Sequence, residues 1–380
     1  MIYNYQKTSR YFAQVAEDIQ ELAIRELESL GADSTKPGYR GIHFHADHKT
    51  LYRINYQTCL VNRVLAPLFS FRCHSDQYLY QTARKIDWND FLSSDNTFAV
   101  FATVANSHIR HSQFAALRLK DAIVDHFRDQ SNTRPSVDTG SPDVWFNLHI
   151  DQNLATISLD TSGGALHKRG YRQQSMQAPM IETLAAAIIR MTGWDGKIPL
   201  IDPFCGSGTL LCEAFLYATH TPSGSLKSRF GFELLQDFDP SLWTEVKNEA
   251  AQNIRPISPG LISGSDLSPE IVKTARTNCR TLNAGDVIQI TKKNIFDIDR
   301  IENAMIVCNP PYGIRMQSGE DLSAFYKDLG DFLKQRCAGS SAFIYFGERE
   351  HIKKIGLKPS WKKPLSNGGL DGRLVKYDLY

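Results

Sequence analysis

Apolar and polar residues alternate through Val144-Trp145-Phe146-Asn147-Leu148-His149-Ile150, a period of two that predicts a half-buried strand. Residues 154–160 form its expected partner, joined across the turn Asp151-Gln152-Asn153. Upstream the period lengthens: Phe114, Leu117, Val124 and Phe127 recur at helical spacing within 112–130, behind a strand-like run at 97–105. The beginning of the chain reads as strand (11–15), helix (16–30, stopped by Gly31) and strand (41–45), with helix signals dominating the middle of this first segment. Residues 131–142 are rich in breakers and read as a loop. After Thr161-Ser162-Gly163-Gly164 strands and helices alternate. Strands are predicted at 200–204, 261–267, 287–292, 304–308, 341–346 and 369–379, and helices at 179–191, 209–217, 269–282 and 322–336. That rhythm predicts a doubly wound α/β sheet.

With 380 residues, 42% of them hydrophobic and 22% charged, the chain has enough apolar material for two or three packed domains. No apolar run approaches the roughly 18 residues of a membrane span, and the polar start offers no secretory core, so a cytoplasmic protein without membrane contact is expected. Seven cysteines, odd in number and without a C-x-x-C pair, argue against a disulfide framework and a thiolate metal site. His43, His45 and His48 are not joined by an acid or thiolate, so no metal is expected. The net charge of +2 singles out no partner, but two runs lack acids: Lys168, Arg169 and Arg172, and then Lys353, Lys354, Lys358, Lys362 and Lys363. Both are candidate phosphate-facing surfaces, with solvated faces as the alternative.

Candidate chemistry sits at predicted strand ends. Ile201-Asp202-Pro203-Phe204-Cys205-Gly206-Ser207-Gly208-Thr209 joins an acid to a glycine loop that opens a helix, where a ligand can approach bare backbone. Neither G-x-G-x-x-G nor the P-loop pattern is present. Asp202 can accept from an α-ammonium group, and Asp266, ending the next strand before Leu267, can chelate two ribose hydroxyls. Asn294 offers a C=O to an adenine amine, and Ile295 an N–H and an apolar wall. A fourth strand delivers Cys308-Asn309-Pro310-Pro311-Tyr312-Gly313. Proline fixes φ and carries no N–H, so this is a stiff loop whose acceptors face one way and can hold an –NH2 group, with Tyr312 stacking on the ring that bears it. Together the loops set S-adenosylmethionine, a methyl donor, opposite a planar amine. Cys205 and Cys308 flank the site and read as packing residues, because transfer to an amine needs no thiol.

These motifs resemble the class I S-adenosylmethionine-dependent methyltransferases, in the branch whose [Asn/Asp/Ser]-Pro-Pro-[Tyr/Phe/Trp] loop methylates exocyclic amines; Asn309-Pro310-Pro311-Tyr312 matches that loop in full. The resemblance implies a Rossmann-like catalytic domain (163–380) with a mostly parallel, seven-stranded sheet. It also implies cofactor contacts at Asp202, Phe204, Cys205, Gly206, Ser207, Gly208, Thr209, Asp266, Leu267, Asn294 and Ile295, and catalysis at Asn309, Pro310, Pro311 and Tyr312. Residues 96–160, with Ile109-Arg110-His111-Ser112-Gln113-Phe114 and Arg134-Pro135-Ser136-Val137-Asp138, are similar to the THUMP RNA-binding domain. Leu166-His167-Lys168-Arg169-Gly170-Tyr171-Arg172, Ala178-Pro179 and Leu184-Ala185-Ala186-Ala187 resemble the junction of THUMP-linked guanine-N2 RNA methyltransferases, in the form with a single methyltransferase domain. Similarity to those enzymes implies an α+β ferredoxin-like segment (1–60), a THUMP domain (61–162) and a guanine target in RNA, large-subunit ribosomal RNA first and transfer RNA as the alternative. RNA contacts are expected at Arg110, His111, Lys168, Arg169, Arg172 and Arg315. A DNA or protein amine methyltransferase and a non-catalytic RNA-binding assembly factor stay open. The chain departs from the family pattern at Gln14-Val15-Ala16, Asn294 and Ile314.

Overall fold

The computed structural model describes residues 1–174, 179–311, 322–368 and 370–380. They divide into a first unit, Met1–Leu166 with Lys227–Lys247, and a second, His167–Leu226 with Asn248–Tyr380. In the first unit β1 (Arg10–Gln14), β2 (Asp33–Gly38), β3 (Gly41–His45), β4 (Arg63–Arg72), β5 (Thr97–Ala105), β6 (Ser136–Val137), β7 (Val144–Asp151) and β8 (Leu154–Asp160) make one sheet in the order β2-β3-β1-β4-β8-β7-β5-β6. Its helices are α1 (Asn4–Thr8), α2 (Gln20–Ser29), α3 (His48–Gln57), α4 (Asp76–Ala83) and α5 (Ser112–Ser131). At the β7–β8 turn Gln152 and Asn153 both take positive φ, 48° and 59°, the conformation that matches strand twist in a two-residue hairpin.

β4, a strand the sequence reading did not assign, pairs with β1 on one side and β8 on the other and so joins the two halves of the sheet. Its signal is broken by Pro67, which has no donor for a ladder and sits where the β4–β8 register shifts. Buried Asp160 at the end of β8 pairs with Arg63 at the start of β4, and the guanidinium lies 4.4 Å from the centre of the Phe101 ring and 4.7 Å from that of Trp145. Burial pushes the Asp160 carboxyl up, against the pull of Arg63. Arg63→Ala removes the cation and leaves the buried carboxylate with the Ser162 and Gly164 N–H groups, so urea denaturation should show a loss of about 3–5 kcal/mol.

Lys227–Lys247 joins the first unit although the chain on both sides of it belongs to the second. Aromatic packing accounts for this: Phe232 stacks on Tyr52 at 4.5 Å, and Trp243 meets Tyr56 edge-on at 5.1 Å. A Cβ at Gly231 would collide with the Asp160 carbonyl, so only glycine lets this segment lie against the end of β8.

The second unit holds β9 (Leu200–Asp202), β10 (Ile262–Asp266), β11 (Gln289–Lys292), β12 (Met305–Cys308), β13 (Ser341–Phe346), β14 (Trp361–Pro364) and β15 (Arg373–Asp378), in the order β11-β10-β9-β12-β13-β15-β14. β9 to β13 run parallel, and β15 is antiparallel to both its neighbours. Further along the chain come α6 (Glu182–Thr192), closed by Gly193 at φ 71°, α7 (Thr209–Thr219), α8 (Pro240–Gln252), α9 (Pro269–Arg280), capped by Ser268, and α10 (Leu322–Arg336); α6, α7, α9 and α10 carry the site. β14 lay hidden in the lysine-rich stretch. Lys362 and Lys363 are exposed along this edge strand, where charge discourages pairing with another chain. No helix of the described residues is long and apolar enough to cross a membrane.

Candidate active site

Because β9 pairs with β10 on one side and β12 on the other, strand order reverses at β9, and the carboxyl ends of strands at such a reversal are where open α/β sheets bind ligands. Asp202, the glycine loop, Asp266 and Asn309 all leave the sheet at that edge. Asp202 is buried and its Oδ1 accepts from Phe204 N at 3.0 Å. Burial pushes its carboxyl up to about 8, the Phe204 N–H opposes this, and the charge of Asp266 adds to it. Cys205 N donates to Ser265 O (2.9 Å) and Gly206 N to Asp266 Oδ2 (3.2 Å), so the loop after β9 is stitched to the end of β10. Gly206 takes φ 53°, and a Cβ there would find only the Phe204 carbonyl at 4.0 Å; the space over this backbone is open. Ser207 and Thr209 are buried.

Gly264 on β10 is the tightest point beneath the loop. A Cβ there would lie 2.7 Å from Leu211 Cδ1 and 3.0 Å from Cys205 Cβ. Gly264→Ala should therefore shift the glycine loop and lower stability by about 1–3 kcal/mol, read by thermal unfolding, with weaker donor binding in calorimetry.

Around this centre Asp266 Oδ1 accepts from Ser268 N at 3.1 Å, which holds the carboxylate at the end of β10, and Leu267 beside it is 62% exposed. Phe204 meets Phe325 edge-on at 5.7 Å. Asn294 Oδ1 accepts from Phe296 N at 3.1 Å, so its acceptor is partly used within its own turn. Ile295 departs from expectation: its side chain belongs to the buried core with Ile301, Tyr326 and Leu329, and only its backbone can face a ligand. Burial pushes the Cys205 and Cys308 thiols far up, which fits packing residues.

In the acceptor loop Asn309 Oδ1 is shielded from solvent and has no hydrogen-bond partner among the described residues. Pro310 is buried, and the Pro311 carbonyl accepts from the Tyr326 hydroxyl at 3.2 Å. Tyr312 and Arg315, expected to stack on the base and to contact RNA, lie outside the described residues.

Two expected RNA contacts are corrected. Arg169 is buried and its Nε pairs with Glu213 Oε1 at 3.4 Å, with the Tyr171 hydroxyl on the same oxygen at 2.8 Å. Arg172 turns inward to Glu182 Oε1 (2.9 Å), Met180 O (2.8 Å) and Thr209 Oγ1 (3.1 Å). Buried acids on α6 and α7 neutralise these cations, and from sequence an acid-free run gives no sign of partners so far along the chain. The Arg172 Nη1 is buried without a partner among the described residues, beside the start of α7. Lys168, Arg110 and His111 are exposed, and the last two share an open, shallow surface with Ser112, Gln113, Phe114 and Leu117. Sequence reasoning also missed Asn278 on α9. Its Nδ2 donates to Ser207 O (3.0 Å) and its Oδ1 accepts from Gln173 N (3.0 Å), tying the stretch before α6 to the glycine loop.

The strand order, the antiparallel β15 and the meeting of both loops at the reversal point are those of a class I methyltransferase domain. Three family models match the chain: an RMKL-like methyltransferase domain over residues 169–376, a THUMP domain over 73–160 and an RlmL ferredoxin-like domain over 10–65. A Synechocystis sp. protein proposed to be an RNA methyltransferase is 41% identical across 98% of this chain and 97% of its own length. The ribosomal RNA large subunit methyltransferase K/L of Vibrio parahaemolyticus is 34% identical across 98% of this chain, which spans about half, 53%, of that relative. A crystal structure of a proposed methyltransferase complexed with SAH superposes with a TM-score of 0.84 at 27% identity, covering 98% of each chain. The chain belongs to the RMKL-like methyltransferases and carries RlmL ferredoxin-like and THUMP domains ahead of the catalytic part.

Proposed function

We propose that this chain transfers a methyl group from S-adenosylmethionine to the exocyclic N2 amine of a guanine in RNA, with large-subunit ribosomal RNA as the substrate. The observation that carries the reading is the buried Asn309 Oδ1 at the end of β12, which has no partner among the described residues, because a shielded acceptor without a donor is costly unless a substrate N–H completes it. The residues present fit the donor. Open backbone at Gly206, the buried Asp202 carboxyl, the Arg172 Nη1 and the exposed Leu267 suit a zwitterionic amino-acid end and a flat apolar ring. Asp202 would hold the ammonium, Arg172 and the start of α7 the carboxylate, Asp266 the ribose hydroxyls, and Leu267 with the Asn294-Ile295 backbone the adenine. When bound, this group supplies an electrophilic methyl carbon.

Asn309 Oδ1 and the Pro310 carbonyl accept the two N–H bonds of the target amine, turn its lone pair toward the donor side and stabilise the positive charge that builds on nitrogen. As N–C forms and S–C breaks, the nitrogen sheds one proton to water. A paired base cannot reach this site, so the guanine must be unpaired or flipped.

RNA is favoured over DNA or protein by the THUMP match and by the open surface at the start of α5, where exposed Arg110 and His111 suit phosphate and the half-exposed Phe114 and Leu117 suit a base. Ribosomal RNA is favoured over transfer RNA by the K/L relative alone. Within this reading the chain divides into a ferredoxin-like segment (1–60), a THUMP module (61–162) and a catalytic domain (163–380). Incubating the protein with tritiated donor and separate RNA, DNA and protein pools should label RNA only, and mass spectrometry of digested ribosomal RNA should place the label on N2 of one guanosine. Label in DNA or protein, or on another base, overturns it.

A further inference from the structure

We propose that Tyr326 is a positioning residue for methyl transfer, its hydroxyl locking the Pro311 peptide plane while His351 holds its ring in place. The inference rests on the acceptor-loop reading above and adds a residue to it. With φ of Pro310 and Pro311 set by their rings and ψ of Pro310 narrowed by the proline after it, the one loose torsion of the pair is ψ of Pro311. That torsion aims the Pro311 carbonyl, and the carbonyl accepts from Tyr326 on α10 at 3.2 Å. Tyr326 is buried in the core between β12, β13 and α10, so its hydroxyl cannot swing to water.

Its ring is gripped as well. His351 stacks on it, with centroids 4.7 Å apart and planes 14° apart, while Phe325 and Phe346 close two other sides at 5.4 and 5.6 Å. His351 lies in the short turn Arg349–Lys353 that comes after β13; it is buried, and its Nε2 bonds Glu348 Oε2 at 3.0 Å. The turn can reach α10 because residue 330 is glycine: a Cβ there would collide with the Ile355 carbonyl. The strand next to β12 thus sends back a turn that steadies the residue holding the loop after β12.

The dipeptide Pro-Tyr occurs once in the sequence, at Pro311-Tyr312, so protein carrying 13C-carbonyl proline and 15N tyrosine gives one carbonyl-to-amide correlation, from this peptide bond. Tyr326→Phe keeps the ring stack and removes the hydroxyl. Its carbonyl resonance should move, and kcat should fall about tenfold, the size of one good hydrogen bond. KM for the donor should stay within about twofold, because that half of the site is untouched. An unmoved resonance, or a moved one with unchanged kcat, overturns the inference. Asn309→Ala, run alongside, separates the two levels: if it is inactive while Tyr326→Phe is fully active, only the role of Tyr326 falls. If Asn309→Ala methylates like the parent protein, the acceptor-loop reading falls and takes this role with it.

Discussion

Asn309→Ala should lower the single-turnover rate of methyl transfer by a factor of about 10²–10³ or more, the usual cost of deleting one fixed group that stabilises developing charge. The substitution removes the side-chain acceptor from the end of β12 and leaves Asp202, the glycine loop and Asp266 as they are. Donor affinity by calorimetry should therefore change by no more than about twofold. Stability separates this result from simple damage. Because Asn309 Oδ1 is shielded without a partner among the described residues, the free protein carries a desolvation cost of about 1–3 kcal/mol there. Alanine relieves it, so the inactive variant should unfold at the same denaturant concentration as the parent or a higher one. A variant that loses activity and stability together would point to a structural role instead. Asn309→Asp keeps an acceptor and should retain more of the rate than alanine does.

Asp202 should make donor binding depend on pH. Its carboxyl is pushed up from 3.8 to about 8, chiefly by burial, so near neutral pH the donor-free protein holds it mostly protonated. An ammonium group needs the ionised form, and binding must then release a proton. Calorimetry at pH 7 in buffers of different ionisation enthalpy should show release approaching one proton, with affinity climbing toward roughly tenfold per pH unit below pH 8 and flattening above it. The stability sign comes from the same shift. Below pH 3.8 the group is protonated in both folded and unfolded chains and costs nothing. Between 3.8 and about 8 the folded chain binds more protons than the unfolded one, so stability falls as pH rises, and the full loss is reached above 8. Asp202→Asn should remove the proton release, flatten this part of the stability profile and weaken binding. An unchanged profile in the variant would refute the assignment.

Much of the second unit was legible because its signals are local. Gly193 and Ser268 mark helix ends by backbone chemistry that neighbouring residues suffice to specify. β13 and α10 fall where apolar periodicity sets them. The candidate site was visible as two motifs at successive strand ends for the same reason: a glycine loop and a double proline impose their conformation within a few residues. Arg169 shows where this stops. In the chain it stands among cations, but its partner Glu213 lies on a helix 44 residues further on.

What the sequence by itself determined is most of the strands and helices that carry the site, β9, β10, β12 and β13 with α6, α7, α9 and α10, together with the chemistry offered at each strand end and the parallel winding that gathers those ends. Tertiary structure alone decided which charges face inward, how β4 bridges the first sheet past Pro67, that Lys227–Lys247 packs with the first unit, and that Tyr326, Asn278 and His351 brace the two loops. The physical reason is range. Backbone torsion and capping act over a few residues, whereas a buried ion pair or a hydrogen bond between distant residues exists only after the core has excluded water around both partners.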